Sequence, residues 1–394
     1  MNHWSRALPN WPVPASKVLS PEEGEHMNQR ILGAAAAAFL LSLCCFGPGV
    51  RATSRAVGSI VSTGEMTAAR FDHAAVLLPN GRVLIVGGIE RNGVMQPGAE
   101  LFDPVTRRFT ATGRPLAQHG WGVTATLLRD GKVLVAGGST GCDSPCYTAS
   151  AELYDPATGT FAPTGKMTIP RAEARAVLLR TGEVLFVGGT SVSGSNPVLT
   201  AELYHPSTGT FTSLGATHLS DATQIVLLTD GRALVVGSSG SDLYDPATGH
   251  FTPTGTMTAP RTKFGGALLP DGRVLIVGGQ AGGAWGTRLT STQIYDPRTG
   301  RFLPGPELNE NRFKLSKAVV SLKDGRVLIA GGAEQPEIYD PASEAFVPVA
   351  GAKLDGFCFS TATLLSDGRV LLAGGYARPG GSGVNHAWLY QPPG

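Results

Sequence analysis

GRVLIVGG, residues Gly81 to Gly88, returns six more times: GKVLVAGG from Gly131, GEVLFVGG from Gly182, GRALVVGS from Gly231, GRVLIVGG from Gly272, GRVLIAGG from Gly325 and GRVLLAGG from Gly368. Successive copies start 50, 51, 49, 41, 53 and 43 residues apart. A fixed segment repeated at that spacing marks an array of supersecondary units, each too small to bury its own apolar surface. Within each copy, four apolar and mostly β-branched residues run without interruption, which predicts a short strand buried on both faces.

Outward from this strand the same grammar recurs. A Leu-rich run such as HAAVLL precedes it, and Asn80-Gly81, Asp130-Gly131, Asp230-Gly231, Asp271-Gly272, Asp324-Gly325 and Asp367-Gly368 predict the hairpin between the two, because these dipeptides tolerate positive φ. The third copy has Thr181-Gly182 instead. Downstream, AELYDP predicts a third strand, and its Asp-Pro-x-Thr-Gly continuation (Asp155 to Gly159, Asp245 to Gly249) predicts a turn into a fourth. Composition agrees: 53 glycines and 28 prolines against 16% charged residues favour short strands and tight turns over amphipathic helices.

A hydrophobic run ending in Gly-Gly, then a Tyr, then an aromatic seven residues later resembles the kelch repeat of bacterial propellers in the galactose oxidase/kelch superfamily. Tyr154 and Phe161 have that spacing, as do Tyr204 and Phe211, Tyr244 and Phe251, Tyr295 and Phe302, and Tyr339 and Phe346. Phe stands where kelch repeats usually carry Trp. The resemblance implies an all-β, seven-bladed kelch-type β-propeller covering residues 53–394. The last copy ends at a third strand, Ala387 to Pro392, while Gly58 to Met66 matches the fourth-strand segment Phe251 to Met257. The N-terminal strand is therefore expected to complete the last blade and hide the edges of an open array.

Residues 1–52 are read as an extension and signal peptide. Met27-Asn28-Gln29-Arg30 opens an apolar run from Ile31 to Phe46, followed by Val50-Arg51-Ala52, the pattern of a Sec signal with its start at Met27 and cleavage near Ala52. The run falls short of the ~20 residues of a spanning helix, so a secreted or periplasmic monomer without stable membrane insertion is expected. In that oxidising setting Cys142 and Cys146 are expected to form a disulfide, and Cys358, in an apolar strand, to be a buried small hydrophobe. A net charge of +2 without a basic run gives no footprint for nucleic acid.

Antiparallel strands place the connections after strands two and four on one face and both hairpins on the other. The loops after strand two vary, as in STGCDSPCYTAS, QAGGAWGTRLTS and YARPGGSGVNH, so a binding function is expected on that face. Trp285, among Gly283, Ala284 and Gly286, and Tyr147 and Tyr376 are candidates for gripping a sugar or peptide. Arg70, Arg171 and Arg261 share one repeat position, with Lys314 taken as their counterpart in the sixth copy, and form a candidate cationic ring for an acidic ligand. The competing account pairs them with the strand-three acids Glu100, Glu152, Glu202 and Glu337.

The resemblance brings an enzymatic alternative, because some galactose oxidases and sialic-acid mutarotases use kelch propellers. Copper-radical oxidases need two tyrosines, one linked to a cysteine, and two histidines. Six of the eight tyrosines here occupy the repeat slot, and His73, His119, His218 and His386 are spread over four copies with no metal-ligand spacing. No catalytic residue, cofactor or metal is therefore assigned. The expectation is an exported scaffold binding a protein or carbohydrate on the variable face, the alternative being a sugar-modifying enzyme (epimerase or galactose-oxidase-like) at the channel mouth.

Overall fold

The computed structural model describes residues 56–90, 94–141, 146–191, 197–282, 286–355, 358–376 and 382–394. The described residues form seven sheets arranged as blades, six with four strands and one with five, and a two-stranded pairing of Gln280–Ala281 with Thr287–Arg288. In blade one the strands Ala74–Leu77, Val83–Val86, Ala99–Asp103 and Arg108–Ala111 are antiparallel and lie in chain order. The innermost strands of successive blades touch around a ring, and the first, Ala74–Leu77, touches the last, Thr361–Leu364.

The second strand behaves as its composition requires. Val83–Val86 is buried along its whole length, and so are its six counterparts, such as Val184–Val187 and Val274–Val277. The alternating side chains serve two interfaces: Leu84 and Val86 pack with Val133, Val135, Tyr154 and Phe161 of blade two, while Val83 and Ile85 pack with Leu371 and Leu389 of blade seven. A core is thus made between neighbours rather than within a blade. The Tyr and Phe of the spaced pair sit side by side, with ring centroids 4.9 to 5.0 Å apart in blades two to six. The tyrosine hydroxyl then reaches the preceding blade: Tyr154 pairs with Thr112 at 2.9 Å, Tyr204 with Thr164 at 2.8 Å and Tyr295 with Thr254 at 2.8 Å.

Closure follows the expected route. Ser59–Ser62 pairs antiparallel with Ala387–Gln391, Ile60 opposite Tyr390, and supplies the fourth strand of blade seven. The structure adds a fifth strand, Ala350–Gly351, lying parallel to Ser59 and Ile60 and covering the edge they would otherwise expose. Only glycine fits at position 351, where φ is +109° and a Cβ would stand 2.2 Å from the Ile60 carbonyl oxygen. Arg326, buried, donates to the Ala56 carbonyl at 2.8 Å, and the Tyr390 hydroxyl donates to Val57 at 3.0 Å.

Candidate functional site

The Gly-Gly that ends strand two meets the neighbouring blade at one recurrent point. Gly375 N–H donates to the Arg70 carbonyl at 3.0 Å, Gly138 to Arg171 at 2.9 Å and Gly279 to Arg312 at 2.7 Å. The arginine side chain turns back into its own blade. Arg70 donates to the Gly87 and Gly98 carbonyls and pairs with Glu100 at 2.9 Å; Arg171 donates to Gly188 and Thr200 and pairs with Glu202 at 2.6 Å. Each carboxylate also accepts a backbone N–H, Glu100 from Thr67 and Glu202 from Thr168, both at 2.7 Å. Buried charges persist when paired and hydrogen-bonded in this way.

Two expectations from the sequence are corrected. Arg70, Arg171 and Arg261 do not line the mouth: their exposures are 2%, 0% and 1%, and they are framework groups facing strand three. The member in register in blade six is Arg312, paired with Glu337 at 2.6 Å, and not Lys314. Two extra residues between Lys314 and Leu322, relative to Asp72 and Leu78, hide this register in the sequence. Blade five carries Gln293 where blades one to four and six carry an acid, and blade seven carries Trp388. Arg261 therefore rests on the Gly278 and Ser291 carbonyls, and burial pulls its pKa down to about 10. Blade two replaces the arginine with His119, hydrogen-bonded to the Gly137 carbonyl at 2.7 Å and 3.5 Å from Glu152.

Two positions after the arginine, at the start of the innermost strand, lies a second ring that the sequence reading missed. Asp72, Glu173, Lys263, Lys314 and Phe359 all have left-handed backbone, with φ of 52°, 56°, 56°, 62° and 55°, and blade two places Gly122 there at 73°. Glycine adopts this conformation without penalty, whereas other residues pay for it in strain. Five blades nevertheless carry a charged or aromatic residue at the position. Such outliers cluster where a side chain must be aimed at a functional site.

These residues surround the channel mouth on the variable-loop face. A cavity of about 140 Å³ there is lined by Glu173, Arg175, Thr190, Asp221, Thr223, Thr262, Lys263, Lys314, Ser316 and Phe359. A cavity of about 190 Å³ continues along the innermost strands and includes Ala74, Thr124, Arg175, Gln224, Lys317 and Thr361. Lys317, from blade six, lines the second cavity, pairing with Asp72 at 3.1 Å and donating to the His73 carbonyl at 2.9 Å and the Val123 carbonyl at 3.3 Å. Glu173 is held above the usual carboxylate range, first by burial and then by the negative charge of Asp72. Lys314 is held below the ordinary lysine value, mainly by burial. Its ammonium lies over three rings, 5.1 Å from the centre of Phe313, 4.7 Å from Phe359 and 4.8 Å from Tyr376, and donates to the Tyr376 hydroxyl.

Of the aromatic candidates, Tyr376 belongs to this cluster. Its ring meets Phe71 edge-on at 5.1 Å, and its hydroxyl contacts the Cys358 thiol. Cys358 is wholly buried, as its apolar surroundings implied, and burial pushes its thiol up to about 11. Tyr147 stands apart on blade two, 8% exposed and edge-on to Trp121 at 5.6 Å, so its ring fills the base of its loop and offers no open stacking face. Trp285 and Cys142 lie outside the described residues, as does the N-terminal segment through residue 55.

A kelch motif profile matches residues 125–168 and 261–309. Among solved structures the chain is similar to a novel fungal alcohol oxidase with catalytic diversity in the AA5 family, in complex with copper. The two are 18% identical over 86% of this chain and 77% of that one, with a TM-score of 0.70. At that identity the likeness is one of fold. No curated protein matches the sequence.

Proposed function

Starting from the premise that this chain is a kelch-type, seven-bladed β-propeller, we propose that it is an exported scaffold that binds a protein or carbohydrate on the face carrying the long loops. The side chains carried by the left-handed ring around the channel mouth support this reading most directly. The backbone N–H groups of Asp72, Gly122, Glu173 and Lys314 bond the ring residue of the preceding blade, which accounts for the conformation. The charged and aromatic side chains at these positions differ from blade to blade, and those of Glu173, Lys263, Lys314 and Phe359 line the mouth cavity. Tyr376 belongs to this surface, and Trp285 is proposed to contribute to it from the loop of blade five. The N-terminal apolar run supports export, and Cys142 with Cys146 is proposed to clip the loop of blade two. N-terminal sequencing of the mature protein tests the first and a two-proton mass difference on reduction the second.

Copper chemistry does not fit the described residues. Among them no three His, Cys, Asp or Glu side chains come together to hold a metal. The histidines have separate partners: His73 bonds Thr361 at 2.9 Å, His119 bonds the Gly137 carbonyl, His218 lies against Asp242 at 3.3 Å and His386 against Asp355 at 2.6 Å. The competing enzymatic reading is proton transfer on a sugar, with Glu173, a carboxyl on the cavity wall whose pKa burial raises, as its acid–base group.

Glycan and peptide arrays probed with the wild-type chain, Tyr376→Ala, Trp285→Ala and the hairpin-face variant Arg298→Ala test the proposal. Capture is expected to fall in the first two variants and to survive in Arg298→Ala, whose side chain is 79% exposed on the opposite face. Equal loss in Arg298→Ala, or none in the loop-face variants, overturns the assignment of the face.

A further inference from the structure

We infer that the mouth cavity is a binding site for a small polyhydroxy carboxylate, its anionic group held by Lys263 and its hydroxyls by the threonine wall. This inference rests on the loop face being the binding surface and adds the chemistry that the surface selects.

Three observations converge on it. Lys263 is the mouth cation left over: it is exposed, and its ammonium makes no hydrogen bond or ion pair with any described residue, whereas Lys314 is taken by its aromatic cage and Lys317 by Asp72. Arg175, on the same wall, spends Nε on the Thr223 carbonyl at 2.6 Å. Its guanidinium still adds positive potential to the cavity, and burial holds its pKa below the ordinary value. Against these cations stand two carboxylates of the lining, Glu173 and Asp221, the latter accepting the Ser238 N–H at 2.7 Å. With Arg175, Lys263 and Lys314 on the same wall the balance at the cavity is positive, and an anion entering it meets charge-assisted donors.

Hydroxyl chemistry comes from the wall. Thr190, Thr223, Thr262 and Ser316 line the cavity, and the Thr190 Oγ1 is buried without a hydrogen-bond partner among the described residues. An orphaned buried hydroxyl is costly unless something supplies a partner. Rotation of the Thr190 side chain, which brings Oγ1 to the cavity that the residue lines, lets a ligand hydroxyl do so. Phe359 contributes an apolar face against which the C–H side of a sugar ring can lie. A simple anion such as phosphate would use the lysine and leave both the threonine wall and Phe359 idle; a neutral sugar would leave Lys263 idle.

Calorimetric titration of the full chain with galacturonate, galactose and acetate separates these contributions. Galacturonate is expected to bind, and galactose and acetate each to bind at least about tenfold more weakly, since each lacks one set of contacts. Lys263→Gln is expected to weaken galacturonate about tenfold and to reduce its salt dependence, and Thr190→Val to weaken it severalfold with the salt dependence kept. Neither side chain is part of the interface between blades, and unchanged thermal unfolding of both variants checks that the fold is intact. Equal binding of galacturonate and galactose, or indifference to Lys263→Gln, overturns the carboxylate assignment while leaving a loop-face site in place. No binding by any of the three overturns the inference itself. The array experiment above then decides separately whether the face binds anything.

Discussion

The two rings at the top of the propeller lie two residues apart in sequence and have opposite fates. Arg70, Arg171, Arg261 and Arg312 are buried, give their carbonyls or side chains to the joints between strands, and face strand three. Asp72, Glu173, Lys263 and Lys314 share left-handed backbone and stand around the channel mouth. A change of direction at one residue separates framework charge from charge at a site. Repetition of a charged residue is therefore no guide to its role, whereas the direction of its side chain is: the left-handed backbone hydrogen-bonds one blade to the next, and only the side chains it carries turn to the mouth.

The most drastic way to break the comparison is to remove the framework and keep the mouth. A chain starting at Asp72 retains the whole second ring but loses Ser59–Ser62 and Arg70, whose carbonyl receives Gly375 where the ring closes. Loss of cooperative unfolding and aggregation through the bared edge of Ala387–Gln391 are expected in calorimetry and light scattering. A sharp transition at the wild-type temperature would show that closure contributes nothing.

Single substitutions give the next two magnitudes. Arg171→Ala leaves Glu202 buried without its counter-charge and is expected to cost about 3 to 5 kcal/mol in denaturant unfolding. Lys263→Ala is expected to stay within about 0.5 kcal/mol, as for a solvent-facing group with no partner. Arg261→Met is the informative intermediate. No acid forms an ion pair with Arg261, so the variant strands neutral acceptors, the Ala259, Gly278 and Ser291 carbonyls and the Ser291 hydroxyl, and about 1 to 2 kcal/mol is expected. If Arg261→Met costs as much as Arg171→Ala, the arginine contributes through packing and not through its ion pair.

What the sequence showed and hid follows from the same contrast. The seven strands, the hairpins and the closing strand were legible because apolar runs, Asp-Gly turns and the Tyr–Phe spacing are local and repeat in register. The ion pairs between the arginines and the strand-three acids were legible as one of two accounts, because both partners recur. The mouth ring was not, because its residues share a φ and no chemistry: Asp, Gly, Glu, Lys and Phe occupy one position. An Arg-x-charged pattern does recur at Arg70-Phe71-Asp72, Arg171-Ala172-Glu173, Arg261-Thr262-Lys263 and Arg312-Phe313-Lys314. Counting back six residues from the last leucine of strand one finds the ring in every described blade where it occurs except blade six, whose insertion displaced Lys314 into the wrong column. The fifth strand, Ala350–Gly351, had no sequence signal, since two small residues pair only because Ile60 is already there.

Strain at the mouth can be tested by removing it. Lys263→Gly keeps the backbone in a conformation that glycine enters freely, as Gly122 does in blade two. Relief of about 1 to 2 kcal/mol of left-handed strain is partly offset by the greater freedom of glycine in the unfolded chain, so a net gain of up to about 1 kcal/mol is expected. The same variant is expected to lose galacturonate binding. A stability gain together with a loss of binding is the signature of strain kept for a site, and a loss of both would place Lys263 in the framework after all.

The smallest effect concerns Glu173 and depends on pH. Its pKa is raised in the folded chain, by burial first and by Asp72 second, so between the unfolded carboxylate value and the folded one the native state binds more protons than the unfolded state. Stability then falls as pH rises through that window, because the slope follows the protons bound unfolded minus those bound native. The unfavourable contribution is fully present above the folded pKa and absent below the unfolded one, near 4.3. Glu173→Gln removes the titration, so the variant is expected to be more stable than wild type at pH 8, with the difference shrinking to nothing towards pH 4. Urea midpoints across that range measure it. A difference that is flat with pH would mean that Arg175 and Lys263, the cations lining the same cavity, already neutralise the carboxylate, and that the mouth is less positive than the carboxylate site requires.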